Sequence, residues 1–364
     1  MLKKEVIFAL KELNKNGYEA YVVGGAVRDF LMNVDIHDYD ITTSALPDQI
    51  EELFKDYKVF NTNKRFGTIT VIINHLPLEI TTYRTKEDYS DHRKPNSLKF
   101  TNKLEEDITR RDFTINSLLC DANLQIIDLL NGQEDLKNHL IRSINDPEMR
   151  FEEDALRILR AIRFKAQLGF EIEEKTNIAI FKQAKLLDYI SIERKRDELF
   201  KILKLNRLAV LTEYKTIFNR FIDYDDINPL IAKTNQLALK LFWLNQDFDY
   251  SKLKLANSDL ALIKEIKTYD DIDNLIKTFA NVKNLDLFFE YHKLVNNIDY
   301  HEAYLNNQEY IVNIKQLKLN GSDLMKLGFQ GQEIGAKINE ILSLIWNKKL
   351  HNNHEEIITY IEEK

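Results

Sequence analysis

Val22 to Pro47 reads VVGGAVRDFLMNVDIHDYDITTSALP, with two adjacent glycines ahead of an arginine and then two aspartates one residue apart. Tyr21-Val22-Val23 has the pattern of a buried strand, and Gly24-Gly25 form the turn into a helix beginning near Ala26. Glycines let backbone approach a ligand closely, and a helix N-terminus suits a phosphate. Arg28 lies one turn on, where its guanidinium reaches for a triphosphate oxygen. In HDYDITT, Asp38 and Asp40 face the same way if they lie on a strand. Two like charges in a partly buried site are costly unless a cation neutralises them. Mg2+, which prefers carboxylate oxygen and substrate phosphates, is the expected occupant. Neither half is decisive alone, since GG before a helix is often a tight turn and DxD a surface turn. Together they predict a site for a nucleoside triphosphate and magnesium.

The surrounding 364 residues suffice for two or more domains, and 44% hydrophobic with 30% charged residues is the balance of a globular protein. No apolar run approaches the roughly 20 residues of a membrane span. The N-terminus, MLKKEVIFALKELNKNGYEAYVVGG, reads as an amphipathic helix leading to a strand, without a signal-peptide cleavage site. The one cysteine, Cys120, allows no internal disulfide, so a reducing cytoplasm is expected and Cys120 itself reads as a small core residue. The net charge of −7 argues against coating nucleic acid by bulk electrostatics, yet permits a local basic strip. Arg194, Lys195, Arg196, Lys201, Lys204 and Arg207 make one, with Glu193, Asp197 and Glu198 as the balancing charges of a plain solvated helix face.

Glycine and proline divide the chain. From Glu171 to Asn320 there is no glycine and one proline, Pro229, so this stretch reads as stacked helices. YEAYVVGG, KVFNTN, GTITVIIN, LEITTYR and QIIDLLNG are short, β-branched and turn-bounded, and read as strands. The expected fold is α+β: a head with a small mixed sheet and helices, followed by an elongated all-α neck, body and tail.

GGAVRDFLMNVDIHDYDITTSALP resembles the first motif of the class II nucleotidyltransferases, the family of CCA-adding enzymes (tRNA nucleotidyltransferases) and bacterial poly(A) polymerases. The resemblance continues, in order, through RFGTITV, LEITTYR, DITRRDFTINSL, DPEMRFEEDALRILRAIRF and ISIERKRDEL. It fades beyond and returns at LNGSDLMKLGFQGQEIGAKI, where Gln330-Gly331 replaces the usual Pro-Gly. It implies that residues 1–140 form the nucleotidyltransferase head, 141–205 a neck that recognises the base, and 206–300 and 301–364 a body and tail that bind tRNA. It further implies that Asp38 and Asp40 hold two metals, with Glu79 as a third carboxylate or a mere edge-strand charge. Arg111 would reach the triphosphate or ribose, and Asp112 would steer an arginine or bind a sugar hydroxyl.

On EDALRILRAIR, helical spacing gathers Ala155, Ile158, Leu159 and Ile162 on one face. Arg157, Arg160 and Arg163 take the opposite arc, with Asp154 beside Arg157 at i,i+3. A solvated basic face is one account. The sharper one is that Asp154 and Arg157 read a base edge. Cytosine and adenine present an amine donor next to a ring-nitrogen acceptor, which suits carboxylate plus guanidinium; uracil and guanine present the reverse. Mispairing costs about 1–3 kcal/mol per group, enough for rejection. Arg160 and Arg163 would add phosphate or base contacts.

TKEDYSDHRKPNSLK, with Asp91, Arg93 and Lys94, resembles the family's flexible loop, intact in enzymes that switch from C to A. The Arg194–Arg207 strip would meet tRNA phosphates rather than bases, because such an enzyme serves every tRNA. The expected reaction is addition of C, C and A to the tRNA 3′ end from CTP and ATP. An A-adding-only enzyme remains open. A bacterial poly(A) polymerase is opposed by RFGTITV and by the acidic ending HEEIITYIEEK, and a silent RNA-binding protein by the full set of site residues. The scattered histidines give no phosphohydrolase cluster.

Overall fold

The computed structural model describes residues 2–36, 38–85 and 99–363. The chain folds as two compact units, residues 1–223 and 224–364. Among the described residues of the first, seven strands form one sheet in the order β3-β4-β5-β2-β1-β6-β7. They are β1 (Ala20–Val23), β2 (Asp40–Thr43), β3 (Lys58–Phe60), β4 (Thr68–Ile73), β5 (Leu76–Thr82), β6 (Leu119–Cys120) and β7 (Ile126–Ile127). All neighbours are antiparallel except β2 and β5, which makes the sheet mixed, as expected.

Alternation decides which face is covered. Ile69, Val71, Leu78 and Ile80 are fully buried, on the side of α1 (Lys4–Lys15) and α3 (Pro47–Leu53). Helix α1 turns Val6, Ala9, Leu10 and Leu13 inward, the stripe that a 3.6-residue period dictates. The opposite face carries Thr68, Thr70, Glu79, Thr81 and Asp40, which are half-buried or exposed. Among the described residues it is covered over β1 and part of β2, where Val23, Leu119 and Ile108 of α4 (Leu104–Thr109) pack together and Thr42 is buried against Asp107. One face thus stays open beside the aspartates.

The remaining helices of this unit are α2 (Gly25–Leu31), α5 (Gly132–Lys137), α6 (Pro147–Glu153), α7 (Leu156–Leu168), α8 (Glu174–Lys182), α9 (Ile192–Lys204), α10 (Ala209–Glu213) and α11 (Lys215–Phe218). Two short strands, β8 (Leu140–Ile141) and β9 (Glu171–Ile172), pair in parallel. Cys120 is buried in β6, where burial pushes its thiol up to about 11, so it is the core residue expected. QIIDLLNG corrects in part: only Ile126–Ile127 are strand, because Asp128 turns the chain by accepting from the backbone N–H groups of Leu130, Gly132 and Gln133.

The second unit is helical. One apolar core gathers Val312, Leu324, Ile341, Ile345 and Ile357, and an aromatic cluster surrounds Phe288 with Tyr269, Phe279, His292 and Tyr300. No helix among the described residues is long and apolar enough to cross a membrane.

Gly132 is buried against the short turn Thr114–Asn116, and a Cβ there would collide with the Thr114 carbonyl. Gly132→Ala is expected to cost about 1–3 kcal/mol, read from urea denaturation followed by far-UV circular dichroism. Gly335, exposed on the helix Gln332–Trp346 with nothing within 4 Å of an added methyl, is the converse case. Gly335→Ala should stabilise its unit by about 0.5–1 kcal/mol, followed by fluorescence of Trp243 and Trp346, which both lie there.

Candidate active site

The spacing of the opening stretch has a simple structural outcome. The chain leaves β1, makes α2 and returns as β2 antiparallel to β1, with Val23 opposite Asp40. Gly24 therefore sits against Asp40: a Cβ on Gly24 would lie 4.0 Å from Asp40 Oδ2 and 3.9 Å from an Arg111 nitrogen. Its φ of +77° adds a backbone reason for glycine. Arg28 is buried, donating to Asp29 (2.9 Å) and to Asn116 Oδ1 (2.8 Å), with its guanidinium over the Phe164 ring.

Asp40 is the first residue of β2, whereas Asp38 precedes the strand, which corrects the expectation of a shared strand. Both still line one cleft. Crowding by the cleft walls and the charge of Glu79 push the Asp40 carboxyl above the ordinary carboxylate range; Arg111 opposes this and Asp38 adds to it. Glu79 is Asp40's register partner on β5, a strand inside the sheet and not at an edge. It does not complete a trio: among the described residues no three carboxylates, histidines or cysteines gather as a metal-binding group. Two hard carboxylate donors on one cleft fit a divalent cation that takes its other ligands from phosphate and water.

The arginines come from α4 onward. Asp107, fully buried on α4, accepts from Arg110 (2.5 Å), Arg111 (3.0 Å), Thr42 Oγ1 (3.0 Å) and the Arg84 backbone N–H (3.2 Å). Burial disfavours its ionisation, but Arg111 and Arg110 outweigh that and hold it well below the usual range. Asp112 takes Arg160 (2.8 Å) and the Asn116 amide (3.2 Å). Asp107 and Asn116, which hold Arg110, Arg111, Arg28 and Asp112 in place, are positions the sequence reading did not single out. The i,i+3 and i,i+4 spacing of Asp107 to its arginines was the available signal.

The base-reading segment differs from its expectation. Asp146 caps α6 by accepting from Glu148 and Met149 N–H groups, Pro147 opens it, and it ends at Glu153. Asp154 is extended and α7 begins at Leu156, so the segment is two helices with a break. Asp154 consequently does not pair with Arg157. Its carboxylate accepts from Leu156 N–H (3.1 Å) and Arg194 (2.9 Å). Arg157 pairs with Glu153 (2.8 Å) and donates to the carbonyls of Arg150 and Arg110 (both 2.8 Å). The arginine arc is not a solvated face either: α7 is buried nearly all round, and Arg163 pairs with Glu198 (2.6 Å) while stacking on Phe164.

The 194–207 strip divides. Arg194 and Lys201 line the cleft. Lys195 is buried, with its ammonium donating to the Leu187 carbonyl (3.2 Å), so it meets no phosphate. Lys204 and Arg207 are exposed, and Arg196 pairs with Asp197 (2.9 Å). Asp91, Arg93 and Lys94 lie outside the described residues.

What the structure brings together is decisive. A single cleft of about 740 Å³ is lined by Gly24, Gly25, Arg28, Asp38 and Asp40 from the β1–β2 segment and by Asp154, Arg157, Arg163 and Arg194 from the helical part of the unit, with Arg111, Asp112 and Arg160 also on its walls. Eight cationic side chains face five carboxylates there, a positive lining in a protein of net charge −7. A carboxylate couple at the start of a strand of a mixed sheet, lining an arginine-rich cleft, is the arrangement of a nucleotidyltransferase. Residues 20–142 match the family model described as Poly A polymerase head domain, and 169–210 match one described as probable RNA and SrmB-binding site of polymerase A. The CCA-adding enzyme of Lactobacillus helveticus is 37% identical, with 97% of this chain and 95% of the relative covered. That of Staphylococcus epidermidis is 34% identical, with 97% and 96% covered. The crystal structure of the Bacillus stearothermophilus CCA-adding enzyme in complex with CTP superposes with a TM-score of 0.85 at 28% identity, over 100% of this chain and 98% of that one. The chain belongs to the CCA-adding enzyme family, whose members are nucleotidyltransferases that need a divalent metal.

Removing the anchor should cost most. Asp107→Asn leaves two arginines without their buried counter-charge, and is expected to destabilise the first unit by about 3–5 kcal/mol in urea denaturation. A second expectation concerns acid. Burial of Asp112 opposes ionisation, but Arg160 brings its pKa down from 3.8 to about 2. A depressed folded-state pKa means its stabilisation is present above pH 3.8 and lost as pH falls to about 2. Stability measured across that window should fall less steeply in Asp112→Asn than in the parent.

Proposed function

We propose that this protein adds C, C and A to the 3′ end of tRNA from CTP and ATP in the cytoplasm, with Mg2+ held by Asp38 and Asp40. The observation that carries the reading is the single cleft shared by the aspartate couple and the Asp154–Arg157 couple. The bound cations would lower the pKa of the RNA 3′-hydroxyl and stabilise the departing pyrophosphate. The glycine turn and Arg28 receive the triphosphate, and Arg111 faces it from α4. The RNA 3′-oxygen bonds to the α-phosphorus, the bridging bond from α-phosphorus to the β-phosphate oxygen breaks, and the hydroxyl proton leaves to solvent.

Base choice falls to Asp154 and Arg157. Asp154 accepts from the exocyclic amine of C or A, and Arg157 donates to the adjacent ring nitrogen. Their fixed orientation, from Leu156 N–H and Arg194 on one and two backbone carbonyls on the other, supports this reading. Residues 1–140 carry the transfer and 141–205 the base reading, while 206–300 and 301–364 hold the tRNA. Lys204 and Arg207 remain as phosphate contacts from the basic strip.

The test offers tRNA ending at the discriminator base, or after one or two C residues, with CTP, ATP or both and Mg2+. Addition that stops once CCA is complete is expected; unlimited A on any RNA, or A only after CC, overturns it. Asp40→Ala should reduce incorporation by roughly three orders of magnitude or more while retaining tRNA binding. Asp154→Ala should admit UTP and GTP, and unchanged rejection of both removes Asp154 from base reading.

A further inference from the structure

Phe164 does not belong to the apolar stripe of α7. It follows Arg157 by seven residues and Arg160 by four, so helical spacing sets it among the arginines, opposite Ala155, Ile158, Leu159 and Ile162. Its ring is buried on the wall of the main cleft, and three guanidiniums lie over it. Their distances to its centroid are 4.0 Å for Arg163, 5.4 Å for Arg28 and 5.5 Å for Arg160. Every other ring with a cation over it, among the described residues, has a single one. Phe113, fully buried, packs edge-on against Phe164 with the two centroids 5.8 Å apart.

The three cations come from two elements. Arg28 belongs to α2, which opens at the glycine turn, whereas Arg160 and Arg163 belong to α7. Each has a carboxylate of its own: Asp29 for Arg28, Asp112 for Arg160 and Glu198 for Arg163. Such bonds use N–H groups in the guanidinium plane, and stacking on a ring uses the flat face that they leave. Like charges this close oppose one another. Burial disfavours the Arg163 cation, Glu198 opposes that, and the neighbouring charge of Arg160 adds to it. An aromatic face attracts cations through its quadrupole while carrying no net charge. It therefore draws like charges together without cancelling the positive charge they offer an anion, which a further carboxylate would do. We infer that Phe164 is a positioning residue for the triphosphate, its ring clamping Arg28 of α2 to Arg160 and Arg163 of α7 so that two elements make one phosphate receptor. This deepens the nucleotide reading proposed above and rests on it. Arg157 is not among the cations over the ring, so base choice is separable from the clamp.

The experiment measures dissociation constants of CMP, CDP and CTP by equilibrium dialysis with Mg2+, on the full chain, with the Phe164 ring native, stepwise fluorinated or replaced. Fluorine withdraws electron density from the ring face and changes ring volume little, so it weakens a hold on cations and spares simple packing. Phe164→Leu keeps an apolar side chain and removes the ring. CTP affinity should fall with each added fluorine, becoming about fivefold to tenfold weaker with the fully fluorinated ring and with Phe164→Leu. CDP should lose less, and CMP about twofold at most. The preference for CTP over UTP in incorporation onto tRNA lacking its CCA end should stay parental. CTP affinity that does not fall across the fluorinated series overturns the clamp, and that arm leaves no cavity to unfold the chain. An equal loss for CMP and CTP, the signature of ordinary packing, overturns it as well. A parent chain that binds no CTP overturns the nucleotide reading itself, and the clamp with it.

Discussion

The segment Thr109–Asp112 is gripped from two helices at once, and the site depends on that grip. Arg150 of α6 donates to the carbonyls of Thr109 and Arg111, and Arg157 of α7 donates to that of Arg110. Asp112 returns the connection by holding Arg160 of α7. These bonds fix the segment that carries Arg110, Arg111 and Asp112 against α6 and α7, which supply further walls of the same cleft. Buried guanidiniums are costly to desolvate, and their value here is positional.

Behind that segment stands Asp107, which fixes Arg110 and Arg111 relative to β2 through Thr42. The ionised Asp40 carboxylate is thus disfavoured by burial and then by the charges of Glu79 and Asp38, while the surrounding arginines are held by carboxylates of their own. Such a site is pre-organised for an anion that brings its counter-cations with it. The acidic balance of the whole chain does not contradict this, because the positive charge is confined to one cleft.

Much of this was legible before any coordinates. The GG turn, the DxD couple and the order of motifs placed the head, and the breaker-free stretch after Glu171 announced the helices. Asp40's carboxylate neighbour Glu79 was within reach of the sequence because LEITTYR reads as a strand; its place inside the sheet was not, since strand order is a long-range property. The break at Asp154 escaped helical periodicity, which scores apolar spacing and is blind to a residue whose carboxylate caps the next helix at Leu156 N–H. Lys195 escaped for a related reason. Its charge reads as a surface signal, whereas the helix packs it inward and spends the ammonium on a backbone carbonyl.

The central claim is that one nucleotide spans the cleft from the aspartate couple to Asp154 and Arg157. A crystal structure with CTP and Mn2+ tests it directly, because anomalous scattering locates the metal independently of the chain. The account requires metal between Asp38, Asp40 and the phosphates while the cytosine amine rests on the Asp154 carboxylate. A cytosine bound away from Asp154 and Arg157, with metal still at the aspartates, contradicts it.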